Sequence, residues 1–350
     1  MKPLTIVTIL LMVLSNFQKS QSKSISIPLH PNIKHRKLNI EPKRRSNLKW
    51  GFFAHQKINR LAIFTLPQEM MPFYKTHLQY VMEHSVDPDQ RRYAVKYEAP
   101  RHYIDLDAYG DSATYKLPIF WNDAVEKFTE DNLMKHGIVP WQIQLMKFQL
   151  TRAFKENNAQ KILKLSAEIG HYVADANVPL HTTSNYNGQK TNQIGIHGFW
   201  ESRLPELYFD DYDFFVGSAE YERFVGKRAW ETVRNANSAL DSVLIFEQKL
   251  NTNFKETKKY SIEERNGQNI KVYAKDYSKK YHQSLNNQIE RQMKRAIKMI
   301  GDLWFTSWVD AGQPDLTILL NFKLSEKQRK EDENEEKSWL QKLFKARDEN

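Results

Sequence analysis

His171-Tyr-Val-Ala-Asp175-Ala-Asn-Val-Pro-Leu-His181, followed by His197-Gly-Phe-Trp-Glu201, gathers five possible metal-binding side chains within 31 residues. His171 and Asp175 are four apart, as are His197 and Glu201, so each pair projects from one face of a predicted helix. The stretch between the pairs, Thr182–Ile196, is rich in Asn, Gly, Gln and Thr and reads as a loop crossing a site. Imidazole and carboxylate are nitrogen and oxygen donors suited to zinc, and such sets with positions left for water serve hydrolysis rather than structure. A single His-x-x-x-Asp is a weak signal and reads more readily as a surface pair or a core histidine. Two such pairs with His181 between them are not so easily dismissed.

Two further pieces lie upstream. Arg101-His102-Tyr-Ile-Asp105 sets a carboxylate three residues beyond a histidine, where it could hold the second ring nitrogen of a metal-bound imidazole. Asp87, in His84-Ser-Val-Asp87-Pro-Asp89, offers another carboxylate, although taken alone it reads as a helix cap or a turn residue.

The elements that must position these residues are helical. Ile58, Leu61, Ala62 and Thr65 recur at helical spacing until Pro67, as do Ile162, Leu165, Ile169, Tyr172 and Val173 before Pro179. Leu285–Trp308 continues the pattern through Ile289, Met293, Ile297 and Ile300, while alternating β-branched runs are scarce. The expectation is an all-α fold with one domain over residues 50–320. Residues 321–350 form a Lys- and Glu-rich tail, read as solvated helix or disorder.

Of the 350 residues, 40% are apolar, enough for a substantial core, and cysteine is absent, so disulfides and thiolate zinc sites are excluded. The net charge of +10 suggests nucleic acid, but its distribution does not. Residues 1–49 hold ten of the 52 basic and one of the 42 acidic residues, leaving 42 bases and 41 acids for 50–350. The part with a core is nearly neutral, so its charge carries no information about substrate. Lys2, the apolar run Leu4–Leu14 and small residues Ser20 and Ser22 read as a signal peptide over residues 1–22, implying export to the periplasm or beyond. The alternative is a frayed apolar N-terminus; the run is too short to span a bilayer. Residues 23–49, basic and with Pro28, Pro31 and Pro42, read as a linker or pro-segment.

The combined motifs resemble the bacterial zinc-dependent phospholipases C and the fungal-type single-strand-specific zinc nucleases. The resemblance covers Trp50 to Glu201 by motif and the helices to Leu316 more loosely. Trp50-Gly-Phe-Phe-Ala-His55 looks like the start of the mature enzymes, with the Trp-to-His spacing of the nucleases. Asp87 precedes His102 by 15 residues, as in the nucleases. The resemblance implies an all-helical fold and three zinc ions. The first would take Asp87, His102, His171 and Asp175, and the second His181, His197 and Glu201. The third would take His55, the other oxygen of Asp175, and the amine and carbonyl of Trp50. It also implies phosphodiester hydrolysis by a water shared between the first and third ions, with the second ion at the leaving oxygen. Asp87 would then also orient water, Asp105 would fix His102, and Arg91 or Arg92 could reach a phosphate oxygen. A Trp50 amine can ligate only if the chain is cut between Lys49 and Trp50.

Neither specificity carries over intact. Phe53 stands where the phospholipases place a choline-binding acid, and Pro88 and Ala99 where they place aromatic residues. Gln90, Gly110 and Ser202 stand where the nucleases place Arg, Lys and a base-contacting Asn, and Glu201 follows the phospholipase type. The substrate is therefore expected to be a phosphodiester, either phospholipid or single-stranded nucleic acid. The competing readings are a non-catalytic zinc-binding or adhesion protein on the same scaffold, and a helical interaction domain with coincidental histidines. No protein partner and no transmembrane segment in the mature chain are inferred.

Overall fold

Seven helices of ten residues or more form among the described residues. They are α1 (Phe52–Ile63), α2 (Val139–Lys155), α3 (Ala159–Ala176), α4 (Val225–Ser238), α5 (Leu240–Asn253), α6 (Lys275–Ser284) and α7 (Gln288–Asp310). Shorter α and 3-10 turns fill the segments between them, and the only sheet among the described residues is one antiparallel hairpin. This computed structural model describes residues 52–323 except 266, together with 330 and 334. All of these fall in one compact unit, Ser46–Asn350. The expected signal peptide, the basic segment 23–49, Trp50 and nearly all of the charged tail lie outside the described residues.

The fold is all-α, as the periodicity implies, and α3 is its centre. The Asn158 side chain caps α3 by accepting from the Lys161 amide at 3.0 Å, replacing one hydrogen bond the first turn lacks. Fourteen of its 18 residues are buried, from Ala159 to Ala176, because α1, α2 and α7 all pack against it. On its α7 side, Trp304 donates its indole N–H to the Ser166 carbonyl at 3.1 Å, and Tyr74 stacks on Trp304 at 4.9 Å. On its α1 side, a Cβ at Gly170 would lie 2.0 Å from Asn59 Oδ1. Only glycine allows α1 to come this close, and that approach sets His55 beside His171. Helix α7 starts later than its apolar pattern, because Asn286 and Asn287 adopt left-handed φ of 45° and 57° between α6 and α7.

The hairpin pairs β1 (Tyr260–Arg265) with β2 (Gln268–Tyr273) so that Tyr260 faces Tyr273. It is absent from the helical pattern, yet the Asn-Gly pair at 266–267 is a strong local signal for it. Gly267 has the positive φ (76°) that such tight turns demand. No helix among the described residues is long and apolar enough to cross a membrane.

Candidate metal centre

α3 projects His171 and Asp175 one turn apart from its buried C-terminal end, as their spacing predicts. His55 comes from α1, and its ring stacks on His171 at 4.1 Å. His102 ends a 3-10 turn, Ala99–His102, and His181 sits in another, Pro179–Thr182. His197 and Glu201 lie on either side of the junction between a short α turn, Ile196–Gly198, and a π turn, Phe199–Arg203. The widened turn keeps them neighbours, with His197 Nε2 to Glu201 Oε2 at 2.7 Å.

These side chains converge in three groups, each with donor atoms within 4.8 Å of one another: His55, His171 and Asp175; Asp89, His102 and His171; His181, His197 and Glu201. Asp175 joins the first two. Its Oδ2 lies 2.9 Å from His102 Nδ1 and 3.2 Å from His171 Nε2, while its Oδ1 lies 3.4 Å from His55 Nε2. Glu201 Oε1 reaches His55 at 3.2 Å, so the third group adjoins the first.

Several features fit divalent zinc. Every donor is nitrogen or oxygen. Ring nitrogens of His171 and His102 face each other at 3.0 Å, and those of His181 and His197 at 2.9 Å, so each pair shares a proton that a bound cation would displace. His55 and His102 turn Nε2 and Nδ1, respectively, toward the shared donors, and their other ring nitrogens are buried without a hydrogen-bond partner on the outer side. The outer ring nitrogens of two other candidate ligands are held by backbone carbonyls, His171 Nδ1 by Ser85 at 2.9 Å and His181 Nδ1 by His102 at 2.7 Å. Such bonds fix both tautomer and ring plane.

The structure places two expected residues elsewhere. Asp87 accepts from His84 Nδ1 at 2.8 Å, and the carboxylate facing the cluster is Asp89, 3.7 Å from His102 Nδ1 and 3.6 Å from His171 Nε2. Asp105 lies 3.7 Å from His136 Nδ1 rather than against His102. The acid nearest the outer nitrogen of His102 is Glu98, at 3.7 Å, four residues before it. Arg91, a candidate for phosphate, is buried between Glu168 (2.6 Å) and Glu98 (3.0 Å) and is not available to substrate. Trp50 lies outside the described residues.

Electrostatics follow from this crowding. Burial alone would depress the His171 pKa, but Asp175 and Asp89 outweigh it and push it up to about 9. His181 is likewise pushed up to about 9, with Asp175 and Glu201 outweighing burial. Burial would raise Asp175 and Glu201, yet the surrounding imidazoles hold both well below the usual carboxylate range. Zinc takes the deprotonated ring nitrogen, so loading at pH 7.5 should release about two protons from these two histidines. Titration calorimetry in buffers of different ionisation enthalpy measures this number. It should fall as pH rises through about 9, and a value near zero at pH 7.5 would contradict the assignment.

Asp105 responds in the opposite sense from Asp175 and Glu201. Burial first, then Asp107, raises its pKa from 3.8 to about 6. The folded chain thus holds this proton more tightly than the unfolded one, and stability is lost as pH rises from about 4 to 6. Asp105→Asn should stabilise the zinc-free protein by on the order of 2 kcal/mol at pH 8 and by nothing measurable at pH 3.5. Urea unfolding at the two pH values checks it.

Comparison with curated proteins returns no significant match. A family model described as zinc dependent phospholipase C matches residues 54–299, more than half of the chain. That span contains every described member of the three groups, from His55 to Glu201, with all of α3 and nearly all of α1. The match and the gathered zinc-type donors agree, and the chain belongs to the zinc dependent phospholipase C family.

Proposed function

We propose that the protein is an exported hydrolase that cleaves phosphodiester bonds at a three-zinc centre, with a phospholipid head group as its substrate. The observation that carries the reading is the convergence of three donor groups, the first two linked by the oxygens of one carboxylate, Asp175. Bound zinc would supply Lewis acidity and a water acidic enough to ionise near neutral pH. The first ion would be held by Asp89, His102, His171 and Asp175, the second by His181, His197 and Glu201, and the third by His55, Asp175 and Trp50. Five neutral imidazoles and three carboxylates bring less negative charge than three divalent ions bring positive. The loaded cleft therefore stays cationic and favours a phosphate whose charge grows in the transition state. Asp175 holds its two oxygens towards different imidazoles, which fixes the spacing on which in-line attack depends.

The family match favours phospholipid, whereas the Trp50-to-His55 spacing favours nucleic acid. A panel on zinc-loaded protein decides between them: a bis-nitrophenyl phosphate, phosphatidylcholine and phosphatidylethanolamine vesicles, single-stranded DNA and RNA. Release of a phosphorylated head group is the expected result. Cleavage of nucleic acid alone would move the protein to the nuclease reading, and no turnover of any substrate by zinc-loaded protein would favour a non-catalytic zinc-binding role.

A free Trp50 amine requires removal of residues 1–49, by export and then by a cut after Lys49. N-terminal sequencing of protein from its native compartment should begin at Trp50. A fully active chain that begins near Lys23 with three tightly held ions would exclude this processing.

A further inference from the structure

The loop between His181 and His197 is anchored outside the metal centre, by a side chain that contacts no ligand. Gln193 is buried, at 6% exposure, between the exposed residues Asn192 and Ile194. Its Nε2 donates to the Leu244 carbonyl at 2.9 Å and to Glu247 Oε2 at 2.6 Å, both on α5. Its backbone closes the loop on itself: the Gln193 amide donates to the Gly188 carbonyl at 2.9 Å, and its own carbonyl accepts from Ile196 at 3.0 Å. Gly188 has φ +73°, and a Cβ there would lie 2.4 Å from the Gln193 carbonyl oxygen, so this closure depends on glycine.

Glu247 is the hub of the anchor. It is 1% exposed and accepts from Gln193, from Tyr277 Oη at 2.6 Å and from Lys259 Nζ at 2.9 Å. A buried carboxylate is tolerable only with such a full set of donors. The same region grips the other side of His197. Phe199, two residues on, stacks on Tyr273 at 3.8 Å with an interplanar angle of 10°, and also on Tyr281 at 4.9 Å. Arg203, two beyond Glu201, pairs with Glu263 of β1 and donates to the Tyr273 carbonyl at 3.1 Å. Helices α5 and α6 with the hairpin thus clamp the chain before His197 and after Glu201.

We infer that Glu247, acting through Gln193, is a positioning residue for the group His181, His197 and Glu201, and that segment 240–284 exists to hold this one group. The inference rests on the three-zinc reading. A ligand held at both ends keeps its donor atom on target, and loss of such outer support typically weakens metal binding 10–100-fold. His55, His102, His171 and Asp175 sit on α1, α3 and a 3-10 turn, and none takes a hydrogen bond from this anchor.

The test is a chelator competition titration on Gln193→Met, which frees the loop but leaves Glu247 with Lys259 and Tyr277. The expected result is one zinc ion weakened 10–100-fold and the remainder held as in wild type, with the melting temperature of the zinc-free protein unchanged. Glu247→Gln should reproduce the same selective loss, whatever it does to folding. If Gln193→Met binds every ion as wild type does, the positioning role is wrong. If all ions weaken together with the melting temperature, the anchor supports the fold at large and the inference is overturned. Wild-type protein that binds no zinc would instead defeat the three-zinc reading itself.

Discussion

Asp175→Ala is expected to lower phosphodiester turnover by on the order of 10³-fold or more and to release two zinc ions, whereas His197→Ala releases one. The asymmetry follows from geometry. Asp175 Oδ1 faces His55 and Oδ2 faces His102 and His171, so a single carboxylate touches members of two groups. Without it, two cations close together would lose the anion between them, and their repulsion would be felt at low dielectric. The variant should still fold. Removing the acid also removes the main cause of the raised His171 and His181 pKa values, so both imidazoles can become neutral in place. Metal analysis and turnover of a bis-nitrophenyl phosphate measure the two effects. Should Asp175→Ala keep full metal and activity while His171→Ala does not, the shared role is wrong.

How much of this centre is legible in the sequence depends on how far each residue sits from regular helix. His171 and Asp175 are read correctly as neighbours because α3 is regular from Ala159 to Ala176. The upstream acids are not, and the reason is local. Ala99–His102 is a 3-10 turn that stops at His102, and Tyr103 is extended at φ −146°, ψ 176°. The chain therefore turns away before Asp105, while Glu98, on the turn's approach, stays beneath the ring. Asp87 and Asp89 pose a similar problem. A 3-10 turn, His84–Val86, runs directly into a five-residue helix, Asp87–Arg91. The phase of such a junction cannot be read from residue types, and it decides which of two acids faces His102. Matching Asp87 to the nuclease spacing selects the acid that the structure pairs with His84. The anchor at Gln193 was beyond reach for a different reason: Gln193 and Glu247 are 54 positions apart, joined only by tertiary packing.

Glu98 carries the other large expected effect, on stability as well as on metal. The carboxylate is fully buried, and Arg91 (3.0 Å), Arg101 (2.9 Å) and the Tyr172 hydroxyl all donate to it. Burial would raise its pKa, but His102, Arg91 and Arg101 outweigh that and hold it well below the usual carboxylate range. Its negative charge is thus present at every working pH. Glu98→Ala removes the anion and leaves Arg91, 8% exposed, with Glu168 and the Tyr172 hydroxyl as its partners beside a new cavity. Removing one partner from a buried ion network of this kind costs about 3–5 kcal/mol. Glu98→Gln keeps the shape and two acceptor lone pairs, and should cost about 1–3 kcal/mol. The milder variant isolates the second consequence. With a neutral amide in place of the acid, the outer nitrogen of His102 loses its nearest carboxylate, at 3.7 Å, and with it some basicity towards a cation. Zinc binding at the Asp89, His102 and His171 group should weaken about 10–100-fold in Glu98→Gln, while Asp105→Asn leaves it unchanged. Urea unfolding of the zinc-free variants and chelator competition on the loaded ones read the two effects separately. A Glu98→Gln protein with wild-type zinc affinity, beside an Asp105→Asn protein that has lost it, would return the orienting role to Asp105.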